Sequence, residues 1–326
     1  MNNFNKLLVC GPGSIGLKHI EAARAINPNL SLAVLRSRNI SDNSIINYNW
    51  KEFKSYKECL NWKPDLVIIS TPAKYHITFT EVFSKSGIPI LLEKPIGVVT
   101  DSIESWEEIA YSSISKINVG YLLRFNPCYE RFKKLLLSGI LGEIIHTNIY
   151  CGSWLPDWRQ KNFRESVSVS KSLGGGAMAE LSHELDLALS LFDNLVVCWA
   201  DLYNAYFKNM EVEDSLALEA TSDLSRNISI HLDFCTRIPR RFFLVRGSKG
   251  ELKWDILNGK IIFQSENSKN ILFESEFNIK NILIDQIKSI VRIDNSNVLI
   301  KPCSLTEGIA TLRLMKNIKA ISKKYE

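Results

Sequence analysis

No Cys-x-x-Cys pair occurs in this chain. Its seven cysteines, an odd count, stand scattered at Cys10, Cys59, Cys128, Cys151, Cys198, Cys235 and Cys303. That excludes a zinc ribbon or a redox dithiol and reads as free buried thiols in a reducing, cytoplasmic setting, with no metal site expected. Long apolar runs are missing as well, and none approaches the roughly 18 residues of a membrane span. The apolar stretch in the opening MNNFNKLLVCGPG is too short for a secretory signal and runs straight into a glycine turn. Blocks of one charge sign are lacking too. The formal net charge is +5, but the two signs are mixed along the sequence. This excludes the electrostatic footprint of a nucleic-acid binder and leaves only a mild preference for an anionic small molecule. No internal repeat and no low-complexity linker is found.

What is present is an ordinary globular composition, with 45% apolar and 23% charged residues over a length of 326. That length suits two domains, each able to bury a core. In the first third, apolar runs alternate with helix-like stretches. The runs are Leu7–Cys10, Leu30–Leu35, Asp65–Ser70, Ile88–Glu93 and Lys116–Tyr121. Strands that are apolar throughout, with helices between them, predict a parallel sheet covered on both faces. Near Arg124 the rhythm changes. Asn126-Pro127 is a good helix start, cap followed by proline, for a helix ending near Ser138. Strand-like segments at Leu195–Tyr203, Ser215–Ser222, Ile228–Phe234 and Arg241–Gly247 then follow without obvious helices, predicting a largely antiparallel sheet. Ser304–Glu307 reads S-L-T-E, a capping box that opens a final helix. The expected division is residues 1–123 and residues 124–326.

GPGSIG places Gly11, Gly13 and Gly16 at G-x-G-x-x-G spacing, after an apolar strand and before a helix. In that context the turn predicts a dinucleotide site. The first glycine allows the tight turn and the second lets the backbone approach a pyrophosphate. The third permits close helix–strand packing, and the amides of Ser14, Ile15 and Gly16 open the helix. After the second strand an NAD site usually carries an acid. This chain has Arg36-Ser37-Arg38 instead. Two guanidiniums and a hydroxyl suit a 2′-phosphate, which favours NADP, with NAD as the alternative. The competing reading is that the arginines face solvent. Glu93-Lys94-Pro95 lies at the carboxyl end of a buried strand, the edge where ligands of open parallel sheets bind. Lys94 there can stabilise an alkoxide beside a nicotinamide, or it is a solvated strand end. Residues 174–186, GGGAMAELSHELD, set Glu180 and His183 on one side of an expected single helix, behind three glycines that let the chain pass close to a ligand.

GPGSIG, STPAKYH (Ser70–His76), LLEKPIG (Leu91–Gly97) and GGGAMAELSHELD, in that order, resemble the Gfo/Idh/MocA oxidoreductases, the family of glucose–fructose oxidoreductase and inositol dehydrogenase. The resemblance spans the whole chain. It implies an N-terminal Rossmann domain with a doubly wound parallel sheet, and a C-terminal α+β domain with a large open, mostly antiparallel sheet whose face carries dimer contacts. A homodimer or homotetramer is therefore expected, with no nucleic acid and no membrane as partner. The resemblance implies Thr71, Pro72, His76, Glu93 and Lys94 around the cofactor, Lys94 as a catalytic residue, and His183 as general acid or base. The family commonly places an aspartate four residues before the histidine, where this chain has Ala179. Glu180 or Asp186 is left to orient the ring. One branch carries L-P-D-W-R ahead of the glycines, as Leu155–Arg159 does here, and looks associated with building surface carbohydrates. Trp154 and Trp158 can then stack on sugar faces, and Arg124, Arg159 and Arg164 can meet an anionic substrate, unless the aromatics merely pack the loop. The expected activity is hydride transfer between a nicotinamide and a hydroxyl or keto carbon of a sugar-like substrate, with nucleotide sugars and acidic sugars as implied classes. The alternatives are a cofactor-binding regulator without turnover, and a sugar conversion with no net redox change.

Overall fold

A computed structural model describes residues 4–36, 49–158, 162–292 and 301–322, and the described residues form fifteen strands and nine α-helices. In order these are β1 (Lys6–Cys10), α1 (Ser14–Ile26), β2 (Ser31–Leu35), β3 (Trp50–Phe53), α2 (Tyr56–Trp62), β4 (Leu66–Ile69), α3 (His76–Ser84), β5 (Ile90–Leu92), α4 (Ile103–Ser112), β6 (Ile117–Val119) and α5 (Pro127–Leu137). They continue with β7 (Ile144–Gly152), α6 (Ala177–Glu180), α7 (Ser182–Leu191), β8 (Val196–Tyr203), β9 (Ser215–Thr221), β10 (Ile228–Asp233), β11 (Arg240–Gly247), β12 (Gly250–Asp255), β13 (Lys260–Ser265), β14 (Ser268–Glu274), α8 (Ile279–Val291), β15 (Cys303–Ser304) and α9 (Leu305–Ser322). Among the described residues no helix is long and apolar enough to cross a membrane. The described cysteines are mostly buried, but Cys198 is exposed and Cys235 half-buried.

Two compact units form. The first holds residues 1–125 and 278–309, the second 126–277 and 310–326. The first unit is built on a seven-stranded sheet in the order β15-β6-β5-β4-β1-β2-β3, parallel throughout except for the short β15. The strand order reverses between β1 and β4, so the loops leaving these two strands open side by side at the sheet's carboxyl edge. Its inner strands β1, β4 and β5 are buried on both faces, as their unbroken apolar runs require. Helix α8, though it follows the second unit in sequence, packs its Leu283, Ile287 and Ile290 into the core of the first unit with Ile20, Leu32 and Leu66. The S-L-T-E box forms as expected: Glu307 N donates to Ser304 Oγ, and Ser304 N donates to Glu307 Oε2 at 2.7 Å.

The second unit carries an eight-stranded sheet, β14-β13-β12-β11-β7-β10-β9-β8, in which only the β7–β10 pair is parallel. The two faces differ sharply. Ile149, Ile230, Phe243, Leu252 and Trp254 point to a fully buried side, where Phe132 of α5 packs on Phe243 and Trp254. Their neighbours Tyr150, His231 and Phe242 point to the other side and stay partly exposed. Period-two alternation of this kind marks a sheet covered on one face only.

Candidate functional site

The glycine turn forms the first part of the site. Gly11 has φ +84°, a conformation that L side chains rarely adopt, and a Cβ there would lie 2.9 Å from the backbone of Thr71. A Cβ on Gly16 would lie 2.7 Å from the Gly11 carbonyl and 2.8 Å from Ser70 Oγ. These two glycines close the β1 loop onto the β4 loop, and Ser70 Oγ fastens the contact by donating to the Gly11 carbonyl at 2.8 Å. Gly13 differs. A Cβ there would meet nothing within 4 Å, and as N-cap of α1 it offers no side chain to the first-turn amides. The first turn of α1 thus starts at the positive end of a helix dipole with no side chain capping it, an arrangement that fits a dinucleotide pyrophosphate. Beyond β2, Arg36 lies 3.4 Å from Glu52 of β3 through its Nε. Ser37, Arg38 and Arg159 fall outside the described residues.

The loop after β4 and the loop after β5 are stitched together by His76. Its imidazole is buried, with Nδ1 2.9 Å from the Pro95 carbonyl and Nε2 2.7 Å from the Thr71 carbonyl. Burial pushes its pKa down, against the pull of those carbonyls and of Glu93. With both ring nitrogens so occupied, His76 braces the loops and presents no ring nitrogen outward. Thr71 Oγ1 is buried without a hydrogen-bond partner among the described residues, and Pro72 begins the short turn that leads into α3.

Glu93 is buried beneath Lys94. Its Oε1 lies 2.6 Å from Nε2 of His19 on α1, and its Oε2 accepts from the Lys94 amide at 3.2 Å. Burial works to raise the Glu93 pKa, but His19 and Lys94 outweigh it and hold the carboxylate below its usual range. The lysine loop is thus tied to the helix that starts at the glycine turn. His19 was not singled out in the sequence, although it falls on the buried face of α1 beside Ile20 and Ala23. Arg124 is also buried, and Nη1 donates to Glu307 Oε1 at 2.6 Å, so it anchors the start of α9.

In the second unit the stretch after the glycines is two helices, not one. Leu181, at φ −99° and ψ 19°, separates α6 from α7. Glu180 and His183 consequently stand on different helices, and Glu180 accepts from Ser168 Oγ at 3.0 Å. Asp186 is buried on α7. His183 makes an ion-pair contact with Glu184, the residue that follows it: Nε2 lies 3.0 Å from Oε2, without the alignment of a hydrogen bond. The other oxygen of Glu184 takes Arg241 Nε of β11 at 2.5 Å. Glu184 is fully buried, which alone would raise its pKa; Arg241 and then His183 hold it down at about 2. The imidazole itself remains 19% exposed. Cys151, registered against Arg241 across β7 and β11, brings its sulfur within 4.8 Å of the His183 and Glu184 ligand atoms. Burial and the Glu184 charge push that thiol up, so it stays protonated. The Arg241 cation beside Glu184 opposes a metal ion at this trio.

The glycines serve this packing. A Cβ on Gly175 would meet the backbone of Val167 and Ser168, and one on Gly176, at φ +115°, would meet the Glu213 carboxylate. Trp158 donates to Ser153 Oγ at 2.8 Å and stands edge-on to Phe234, fixing its loop to the sheet. Arg164 is exposed and lies over the Phe163 ring.

Comparison with known proteins agrees with this architecture. The profile described as "Oxidoreductase family, NAD-binding Rossmann fold" matches residues 5–121, and that described as "GFO/IDH/MocA C-terminal domain" matches residues 129–253. The chain belongs to the Gfo/Idh/MocA oxidoreductase family. It is 26% identical to the rhizopine catabolism protein MocA of Rhizobium meliloti over 188 residues, 57% of this chain and 56% of that protein. The match thus spans about half the length of that relative. The fold is shared with an inositol dehydrogenase homologue of Azotobacter vinelandii solved with NAD+, at TM-score 0.78 and 14% identity over 98% of this chain and 95% of the other. It is shared as well with UDP-N-acetylglucosamine 3-dehydrogenase GnnA of Acidithiobacillus ferrooxidans, at TM-score 0.76 and 17% identity over 98% of both chains.

Proposed function

We propose that this protein is a nicotinamide-dependent oxidoreductase acting on a hydroxyl or keto carbon of a sugar-like substrate, with NADP as its cofactor. The observation that carries the reading is His183, a partly exposed imidazole held on a carboxylate that is fully buried and locked in its anionic form. Such a ring can take a proton from a substrate hydroxyl and return it, with Glu184 stabilising the imidazolium that forms. Lys94 stabilises the oxyanion on the reacting carbon, an electrostatic role for an ammonium at the carboxyl edge of the first sheet. The amides of Ser14, Ile15 and Gly16 hold the pyrophosphate, and Arg36, with Ser37 and Arg38, the 2′-phosphate. A bound nicotinamide supplies the hydride acceptor or donor. Glu180, which accepts from Ser168 Oγ, and Asp186, buried on α7, remain candidates to orient the ring beside Glu184, and the protein assembles as a homodimer or homotetramer through its open sheet face.

Native purification followed by mass spectrometry of retained small molecules tests the reading. The expected finds are NADP(H) and a sugar-like compound whose addition changes the nicotinamide absorbance. A retained sugar that binds saturably yet leaves that absorbance unchanged with either cofactor would sink it.

A further inference from the structure

Lys94 is half-buried, and the residues on either side of it, Glu93 and Pro95, are buried. Each of these neighbours ties the lysine loop to a different helix. The Pro95 carbonyl lies 2.9 Å from Nδ1 of His76, at the start of α3. A main-chain carbonyl makes that contact, so any residue at position 95 would supply it. The tie through Glu93 is different. It needs two particular side chains, set 74 residues apart: Oε1 of Glu93 and Nε2 of His19 lie at 2.6 Å, with the imidazole fully buried and the carboxylate 7% exposed.

The contact is prepared by α1. Gly16 lets this helix begin close against the β1 and β4 loops, since a Cβ there would sit 2.7 Å from the Gly11 carbonyl. His19 follows three residues later and so falls on the same buried face. From there it meets the residue that ends β5, two strands along from β1 in the sheet. Nδ1 of the ring is buried without a hydrogen-bond partner among the described residues, so the ring is anchored at Nε2 by Glu93. Glu93 is confined in turn. A Cβ on Gly120 would lie 2.9 Å from Oε1 and 3.1 Å from Oε2, and Oε2 accepts from the Lys94 amide at 3.2 Å. Burial opposes the charge of this carboxylate, yet His19 and Lys94 hold it ionised.

Stability is a poor explanation for such a pair. Taking a carboxylate out of water costs several kcal/mol, and an apolar pair of similar volume commonly serves a core as well or better. What the pair does fix is position: it locks the backbone of Lys94 to the helix whose first turn opens at the glycine loop.

We propose that His19 and Glu93 are positioning residues, whose buried contact sets Lys94 in register with the first turn of α1, the helix end assigned above to the pyrophosphate. The inference rests on the role given to Lys94 above and adds two residues that act through it.

The test compares His19→Leu, His19→Gln and Lys94→Met in the full-length protein, by turnover of the natively retained substrate, NADPH affinity and thermal unfolding. A misplacement of the order of 1 Å can cost about 10²-fold in rate, so His19→Leu should lose about 10- to 100-fold in kcat. Its NADPH affinity should stay within about twofold, because the first-turn amides are untouched. His19→Gln keeps a donor at similar reach and should recover most of the loss. In the Lys94→Met background His19→Leu should cost nothing further, which a merely structural residue would not show. If His19→Leu fails to fold because Glu93 is left buried without its partner, His19→Leu/Glu93→Met reads the same effect with no buried charge. That pair variant should be slow yet unfold at or above the wild-type temperature. Wild-type kcat in the variants that lack the contact overturns the proposal, as does a loss confined to NADPH affinity or a pair variant that unfolds far below the wild type. A full further loss in the Lys94→Met background overturns it as well. Slow turnover in Lys94→Met beside normal turnover in His19→Leu would remove this inference alone; normal turnover in Lys94→Met would remove the role of the lysine and this inference with it.

Discussion

His183 and Glu184 are neighbours in sequence, and Nε2 of the first lies 3.0 Å from Oε2 of the second. Adjacent residues on a regular helix do not face each other. These two meet because α7 begins only at Ser182, after the break at Leu181, and because Arg241 draws the Glu184 carboxylate against the sheet. His183→Asn keeps the size of the side chain but cannot carry a proton near neutral pH. Turnover should fall by about 10²–10⁴-fold, while NADPH affinity stays as in the wild type. Lys94→Met should cost a similar order through loss of the oxyanion's cation. The double variant should lose less than the product of the two single losses, because in the proposed mechanism both residues act on one proton and one oxygen. Steady-state kinetics on the natively retained substrate, paired with fluorescence titration of NADPH, checks each statement; wild-type turnover in His183→Asn would make the histidine structural.

The Glu184–Arg241 pair also sets an acid limit to stability. Glu184 is held at about 2 in the folded chain, against an ordinary carboxyl of about 4.3 when unfolded. A depressed carboxylate contributes stability that is fully present above the unfolded pKa and lost as pH falls through the folded one. Glu307, held at about 2 by Arg124 and the Ser304 cap against the opposing effect of burial, acts in the same direction. Urea midpoints should therefore be flat from neutral pH to about 5 and fall steeply between about 4 and 2. Arg241→Met leaves Glu184 buried without its cation and should destabilise by about 3–5 kcal/mol at pH 7. A midpoint that Arg241→Met does not move would mean that the pair contributes nothing to folding.

Gly13 and Gly16 separate two roles that a glycine motif confounds. Gly16 faces the Gly11 carbonyl and Ser70 Oγ, so Gly16→Ala should lower thermal stability. Gly13 faces open space with φ −79°, so Gly13→Ala should melt like the wild type. On the proposed reading its added methyl enters the space taken by the pyrophosphate. NADPH affinity should drop at least about tenfold, near 1.4 kcal/mol. Differential scanning fluorimetry with and without NADPH reads both effects. Loss of stability in Gly13→Ala, or unchanged affinity, would contradict the placement of the pyrophosphate.

Much of this molecule was legible before folding. Apolar runs gave β1, β2, β4, β5 and β6; the Asn126-Pro127 cap gave α5, and S-L-T-E the start of α9. Other parts were not. Helix α8 has a clear apolar stripe, but no local signal says that Leu283 and Ile287 return to the first unit's core. The edge strand β3, Trp50-Lys51-Glu52-Phe53, is too polar to read as a strand. Arg241 reaches Glu184 across 57 residues, a contact that only the sheet creates. Arg124 looked like an anion ligand because a buried arginine's partner cannot be guessed from spacing, and the fold gives it Glu307.

On the proposed reading, cofactor choice rests on Arg36 and the two residues after it in the sequence. With no acid following β2, NADPH should bind at least about tenfold tighter than NADH, near 1.4 kcal/mol. Arg36 already has Glu52 at 3.4 Å, so Arg36→Ala also frees that carboxylate beside the same pocket. The substitution should therefore cut NADPH affinity and leave NADH affinity nearly unchanged, and Glu52→Gln should strengthen NADPH slightly. Equal affinities for the two cofactors in the wild type would overturn the preference.

The last prediction concerns the open face of the eight-stranded sheet. Tyr150 lies stacked between His231 and Phe242, at 5.3 and 5.7 Å, and all three rings stay partly exposed. Flanking them are Arg246, paired with Glu251, and Lys253, paired with Asp255. An aromatic centre rimmed by paired charges is the composition of a protein interface more than of a solvated sheet. A chain that buries such a face on a copy of itself does so by two-fold symmetry, with the same patch contributed twice. Light scattering at micromolar concentration should give the mass of a dimer or tetramer. Phe242→Glu would place two carboxylates at the symmetric contact and should shift the mass toward the monomer without unfolding the chain, since Phe242 lies on the face away from the core. A monomeric wild-type mass would refute the assembly, and a Phe242→Glu variant of unchanged mass would move the interface to another surface.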